Sequence, residues 1–370
     1  MLAVLLAGTS IQVSAKKLHS IGDSTMQTYD ESTDKRGWGQ MLQQFFDEAQ
    51  ITVNNRGKSG ASSKSFYKEA AYWTTLKTGG SDAMASGDIL LIQFAHNDEK
   101  SDGTDGDEEN ALHQQLGDGQ TVDYRGTTPF DTYKQYLRKY INEAKAMGVK
   151  PVLVGPICRK YFSGNSIRRN GKHDLGDKFN KIVDGELLTN QSLPADDHTM
   201  DYVYQMAQVA NEYTDVPFID LTSATAELYL SYGEAYCTSN LFCKDDNTHP
   251  AAMGATLIAR LFAQLVHEGA NDSSIPAARR AVLQEMDAAI LLSSEISFSP
   301  ASGNLGKTYT GQVLNKEFNV SAFGLTPDAG TVTFTATNGF LLSTDKVNYA
   351  ATATASYSGQ TLIAPLYVRY

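Results

Sequence analysis

At 370 residues, 41% hydrophobic and 20% charged, the chain is long enough for more than one domain and too apolar to be disordered. Its formal net charge is −11 and no basic stripe offsets it, so nucleic acid is excluded as an expected partner. The three cysteines lack zinc-site spacing with histidines, so the sequence indicates no metal.

Residues 2–13 form an apolar run that ends in Val13-Ser14-Ala15, a small-residue cleavage pattern. Residues 1–15 are therefore expected to be a secretory signal, too short for a membrane anchor. The basic segment that usually precedes such a run is missing, and a buried strand is the alternative. The expectation is a secreted protein, periplasmic or extracellular, with no membrane span after processing.

From residue 17 onward, strand-like and helix-like pieces alternate. Short apolar runs at 17–21, 51–54, 88–94, 151–154 and 216–221 suit strands buried on both faces of a parallel sheet. Leu42, Phe45, Phe46 and Ala49 recur at helical spacing, as do Tyr133, Leu137, Tyr140, Ile141 and Ala144. A further helix is predicted after Pro250, with Leu257, Ile258, Leu261, Phe262 and Leu265 on one stripe. This alternation predicts a three-layer α/β fold over residues 16–292.

One connection, 99–128, is unusually long and acidic, with little apolar periodicity. Asp105, Asp107 and Glu109 alternate there, but the EF-hand pattern of ligands, glycine and distal Glu is lacking. A solvated acidic loop is the expectation. After residue 292 the texture turns to Thr, Ser, Gly and Val with period-two stretches at 318–323, 331–336 and 361–370. Residues 293–370 are expected to form a small β-sandwich, which resembles immunoglobulin-like modules, and the chain to be part of something longer.

The residues able to do chemistry sit after predicted strands. Gly22-Asp23-Ser24 follows the first, where α/β folds place their sites; such a triplet is more often a plain turn. The segment 55–63 follows the second and offers backbone N–H groups, or serves only as a flexible turn. Ala95-His96-Asn97-Asp98 follows the third; Asn97 is placed to offer its amide to an oxyanion or to make an Asx-turn. Asp245-Asp246-Asn247-Thr248-His249-Pro250 precedes the last helix. A carboxylate three residues before an imidazole suits an acid–base pair, or the same aspartates cap the helix. Cys237 and Cys243 flank a short loop beside this pair and are expected to form a disulfide if the protein is exported, with two unpaired thiols in a turn as the alternative. Cys158 is expected to be a small core residue.

Together, these blocks resemble the SGNH or GDSL hydrolase superfamily, and within it the rhamnogalacturonan acetylesterase group. The resemblance covers about 18–266. It rests on Gly22-Asp23-Ser24-Thr25-Met26, Gly37-Trp38-Gly39, Asn55 through Phe66 with Gly60 inside it, Ala95-His96-Asn97-Asp98, and Asp246 with His249. Ala95 stands where the group usually has glycine, and Ala61 where an arginine is frequent. The resemblance implies a flavodoxin-like SGNH fold and an esterase that needs no cofactor. It implies Ser24 as nucleophile, His249 as base and Asp246 as its orienting acid. The oxyanion donors it implies are the N–H groups of Ser24 and Gly60 and the Asn97 amide.

The expected partner is acetylated plant cell-wall polysaccharide, specifically pectin. Lys58, Lys64, Arg159 and Lys160 lie near strand ends and are expected to meet its carboxylates, ordinary surface charge being the alternative reading. Acetylated xylan, a lipid ester, or a polysaccharide-binding role for an inactive hydrolase domain are the competing expectations.

Overall fold

The fully buried run Ile-Leu-Leu-Ile-Gln at Ile89–Gln93 is the middle strand of the sheet, and its residues alternate between two hydrophobic cores. Ile89 and Leu91 pack to one side with Leu18, Val152 and Val154; Leu90 and Ile92 pack to the other with Ile21 and Leu153. Burying each such side chain contributes about 1.5–3 kcal/mol. In this computed structural model, residues 15–168, 178–292, 296–299, 305, 313–323, 325, 327, 329–358 and 361–370 are described. The expected signal segment and the boundary at residue 293 lie largely outside them.

Strands β1 (Lys16–Gly22), β2 (Ile51–Asn55), β3 (Ile89–Gln93), β4 (Lys150–Val154) and β5 (Phe218–Ile219) form one parallel sheet in the order β2-β1-β3-β4-β5. That order is the flavodoxin-like one, in which the strand sequence reverses beside β1 and opens a crevice at the carboxyl ends. Helices cover both faces. Ala252–Asn271 and Ala277–Asp287 pack with Trp38 on one side, and Lys134–Ala146 and Tyr202–Asn211 on the other. Gly254 lets the long helix approach closely: a Cβ there would lie 2.0 Å from the Leu241 carbonyl oxygen.

Two predicted elements differ. The apolar stripe at Leu42, Phe45 and Phe46 belongs to a 3-10 run at Trp38–Phe45, which ends where Phe46 turns extended and its N–H donates to the Gln43 carbonyl. The acidic connection contains a helix, Gly106–Leu116, capped by Asp105. It is not a solvated loop. Asp105 and Glu109 are buried, and Asp105 and Asp107 pair with Lys64 and Lys68 of the helix Ser63–Lys68.

Among the described residues after 292, Ser297–Ser299, Asn315–Phe323, Thr361–Arg369 and Leu341–Ser343 form an antiparallel sheet in that spatial order, and Gly330–Thr335 pairs with Thr352–Tyr357. Both sheets feed one small core around Val320, Phe334, Ala355 and Leu362. No helix among the described residues is long and apolar enough to cross a membrane.

Candidate active site

Register places three of the predicted segments at one edge. Gly22 of β1 aligns with Gln93 of β3, and Ser20 with Asn55 of β2, so Ser24, Gly60 and Asn97 all leave the sheet at its carboxyl end. The fourth segment comes from the other end of the chain. The loop before the Ala252–Asn271 helix folds back so that His249 Nε2 lies 2.8 Å from Ser24 Oγ, while His249 Nδ1 lies 2.7 Å from Asp246 Oδ2. A carboxylate can only accept, so Nδ1 carries the proton and Nε2 is left to accept from the serine hydroxyl.

Backbone hydrogen bonds, not a disulfide, hold this loop. Cys243 N donates to the His249 carbonyl (3.0 Å), Lys160 N to that of Asn247 (2.8 Å) and Ala251 N to that of Leu241 (2.9 Å). Asp246 Oδ1 accepts from the N–H groups of Thr248 and His249 at 2.7 and 2.9 Å. The expected Cys237–Cys243 bond is absent and both thiols are free. Cys237 is buried and its thiol donates to the Tyr229 carbonyl, whereas that of Cys243 donates to the Pro250 carbonyl. Cys158 is buried, as expected of a core residue.

Below Ser24 lies a buried polar network that sequence reasoning missed. Asp23 Oδ1 accepts from the Thr25 N–H and hydroxyl, and Asp23 Oδ2 faces His96 Nδ1 at 3.1 Å. Gln93 spans from Asp23 to the Trp38 indole, whose N–H donates to Gln93 Oε1 at 2.7 Å. The other His96 nitrogen lies 2.9 Å from the Ile157 carbonyl. Burial pushes the Asp23 carboxyl up, but the facing His96 and the Thr25 bonds outweigh it and leave it below the usual range. Asp23, Trp38 and His96 each stand in a block quoted from the sequence, but nothing in the sequence pairs them. Tyr29 adds a further anchor, its hydroxyl donating to the Ser24 carbonyl at 2.7 Å.

Gly60 has φ +77°, a left-handed conformation that glycine adopts without strain. Among the described residues, neither the Ser24 N–H nor the Gly60 N–H is taken by a protein acceptor. The Asn97 amide donates to the Ala61 carbonyl at 3.0 Å, which fixes the side chain and leaves its second N–H. Next to it, burial pushes the Asp98 carboxyl up to about 7, against donors from Ser63 and Thr127. The arrangement offers a hydroxyl, a base on it, an acid on the base, and N–H donors on segments that leave the same edge of the sheet. That is the equipment for acyl transfer.

The four basic residues expected to meet substrate divide. Lys64 is 1% exposed and paired with Asp105 at 2.9 Å, so it belongs to the packing of the Gly106–Leu116 helix. Arg159 pairs with Glu99 at 2.7 Å and donates to the His96 carbonyl. Lys160 is buried, with Nζ 3.2 Å from the Thr238 hydroxyl, where it supports the His249 loop. These three are structural, because each charge is already matched or enclosed. Lys58 alone of the four is exposed, beside Gly60.

The family profile described as GDSL-like Lipase/Acylhydrolase matches residues 19–262. The probable rhamnogalacturonan acetylesterase YesY of Bacillus subtilis is 29% identical over 257 residues, covering 69% of this chain and 94% of that protein. The rhamnogalacturonan acetylesterase RhgT of the same organism is also 29% identical, over 245 residues, covering 63% and 81%. Among solved structures, the acetylxylan esterase Axe2 from Geobacillus stearothermophilus is similar at 18% identity and a TM-score of 0.41, over 69% of this chain and 96% of that one. Matched by the profile over more than half its length, the chain belongs to the GDSL-like lipase/acylhydrolase family and is a carboxylic ester hydrolase.

Proposed function

We propose that the protein is a serine acetylesterase that removes acetyl groups from a pectic, rhamnogalacturonan-type polysaccharide. The observation that carries the chemistry is the unbroken chain from Asp246 through His249 to Ser24 Oγ. His249 Nε2 takes the Ser24 proton as Oγ attacks the acetyl carbonyl carbon. The tetrahedral oxyanion is met by the N–H groups of Ser24 and Gly60 and by the free N–H of Asn97. The ester C–O bond then breaks and His249 returns the proton to the departing sugar hydroxyl. Water gives a proton to the same imidazole and attacks the acetyl-serine; the acyl bond to Ser24 Oγ breaks, His249 returns the proton to Oγ and acetate leaves, so the ester and water are consumed and the chain is regenerated.

Asn97→Ala tests the third donor. Removing one oxyanion donor lowers kcat by about 10²–10³. Steady-state hydrolysis of an aryl acetate measures it, and an unchanged kcat would remove Asn97 from the oxyanion site.

The pectic assignment draws its support from the two rhamnogalacturonan acetylesterase relatives and from the exposed Lys58 beside Gly60. Acetate release should be faster from acetylated rhamnogalacturonan than from acetylated xylan of matched acetyl content, and it should slow as salt rises. Exposed charges are screened over about 8 Å at physiological ionic strength. Faster release from xylan, indifferent to salt, would leave the esterase chemistry standing and sink the pectic substrate.

A further inference from the structure

We propose that Gln40 and Tyr29 form a positioning relay that aims Ser24: Gln40 fixes the backbone of Tyr29, and the Tyr29 hydroxyl fixes the carbonyl of Ser24. The inference rests on the serine esterase reading above and adds two residues that act through the nucleophile and not on the substrate. Ser24 lies in a turn just past β1, beyond the last paired residue of that strand. Among the described residues, the Tyr29 hydroxyl, at 2.7 Å, is the one donor that meets the Ser24 carbonyl. That carbonyl belongs to the same residue as the nucleophile, so holding it fixes the backbone torsion from which the Ser24 side chain is aimed.

Tyr29 is itself held from behind. The Gln40 side-chain amide meets both of its backbone groups: Oε1 accepts from the Tyr29 N–H at 3.0 Å, and Nε2 donates to the Tyr29 carbonyl at 3.0 Å. This is the two-bond exchange that paired strands make, supplied here by a side chain of the 3-10 run Trp38–Phe45. The start of that run is tied to the nucleophile turn as well, since the Trp38 N–H donates to the Thr25 carbonyl at 2.9 Å. The stretch between reaches the other parts of the site. The Gln27 side chain accepts from the N–H of Ser59, which precedes Gly60, and the Arg36 N–H donates to the carbonyl of Pro250, which follows His249, at 3.0 Å. Residues 27–40 thus join the nucleophile, the oxyanion glycine and the base loop, and the Tyr29 hydroxyl is where they hold Ser24.

The Tyr29 hydroxyl is a constant donor. Burial pushes this phenol up to about 12, against its hydrogen bonds with Ser59 and Ser24, so it keeps its proton wherever neutral His249 accepts from the serine. Reacting groups tolerate little misplacement, and a shift of about 1 Å costs about 10²-fold in rate. A lost tether on Ser24 therefore shows in the rate of attack and not in the affinity for substrate. Phenylalanine at this position keeps the ring, whose centroid lies 5.7 Å from the Lys35 ammonium, and removes only the donor.

The test compares wild type, Tyr29→Phe, Gln40→Ala and the double variant on 4-nitrophenyl acetate, with a thermal melt of each and the rate at which a fluorophosphonate labels Ser24. Tyr29→Phe should melt with the wild type and lower kcat about tenfold at unchanged KM, the effect of one hydrogen bond, and labelling should slow by the same factor. Gln40→Ala should lower both rates similarly. The double variant should fall no more than about twofold below either single one, because both act through one tether. An unchanged kcat in Tyr29→Phe, a loss carried by KM alone, or two losses that multiply in full in the double variant overturns the relay and leaves the serine chemistry standing. A wild type that hydrolyses the ester while Ser24 stays unlabelled overturns the serine reading and the relay together.

Discussion

Ser24→Ala and His249→Ala should each lower ester hydrolysis by about 10⁴-fold or more, and the double variant should be little worse than either single one. The two side chains act as a unit. The serine hydroxyl is a weak nucleophile until Nε2, 2.8 Å away, accepts its proton, and the imidazole has no covalent role without the serine. What survives in either variant is the residual stabilisation by the Ser24 and Gly60 N–H groups and Asn97. Folding should survive, because Ser24 is 8% exposed at a strand end and contributes little apolar burial, and His249 is partly open to solvent. Initial rates with 4-nitrophenyl acetate, paired with a thermal melt, measure both. Turnover near the wild-type level in folded Ser24→Ala would remove the serine mechanism altogether.

Much of this site was legible because local sequence carries it. A continuous apolar run such as Ile89–Gln93 has few alternatives to a buried strand. A polar residue just past its end emerges at the carboxyl edge, which is how Ser24 and Asn97 could be placed. Asp246 and His249 sit three residues apart in one loop, so their pairing is a local event too.

Most of the failures involve partners distant in sequence. Lys64 reads as a surface base until the Gly106–Leu116 helix covers it with Asp105. That helix reads as a loop because its stability comes from Asp105 capping and lysine pairs and not from an apolar stripe. The Asp23–Gln93–Trp38–His96 network spans β1, β3 and the 3-10 run, and only strand register brings it together. Proximity in sequence also misled for Cys237 and Cys243. A thiol's direction depends on its own turn, and here one points into the core and the other toward Pro250.

Asp246→Asn should lower kcat by up to about 10⁴-fold without unfolding the loop. The amide oxygen can still accept from the Thr248 and His249 N–H groups, which now bond to Asp246 Oδ1. The amide nitrogen, however, would face His249 Nδ1 as a donor. It would stabilise the tautomer with its proton on Nε2, which points at Ser24 and then cannot accept. The pH profile gives a second readout. Burial holds His249 below the 6.5 of an ordinary imidazole, and Asp246 pulls it partly back up. The base works only when neutral, so the acid limb of kcat/KM, which reports the free enzyme, should have its midpoint below 6.5 in the wild type. Burial also pushes the Asp246 carboxyl up, but hydrogen bonds from Thr248 and His249 bring it below the usual carboxylate range, so it stays ionised across that limb. Removing its charge takes away the main influence that raises His249, and the midpoint should therefore shift further down in Asp246→Asn. A loss smaller than that of Asn97→Ala, or a midpoint that moves upward, would mean that Asp246 serves the loop and not the imidazole.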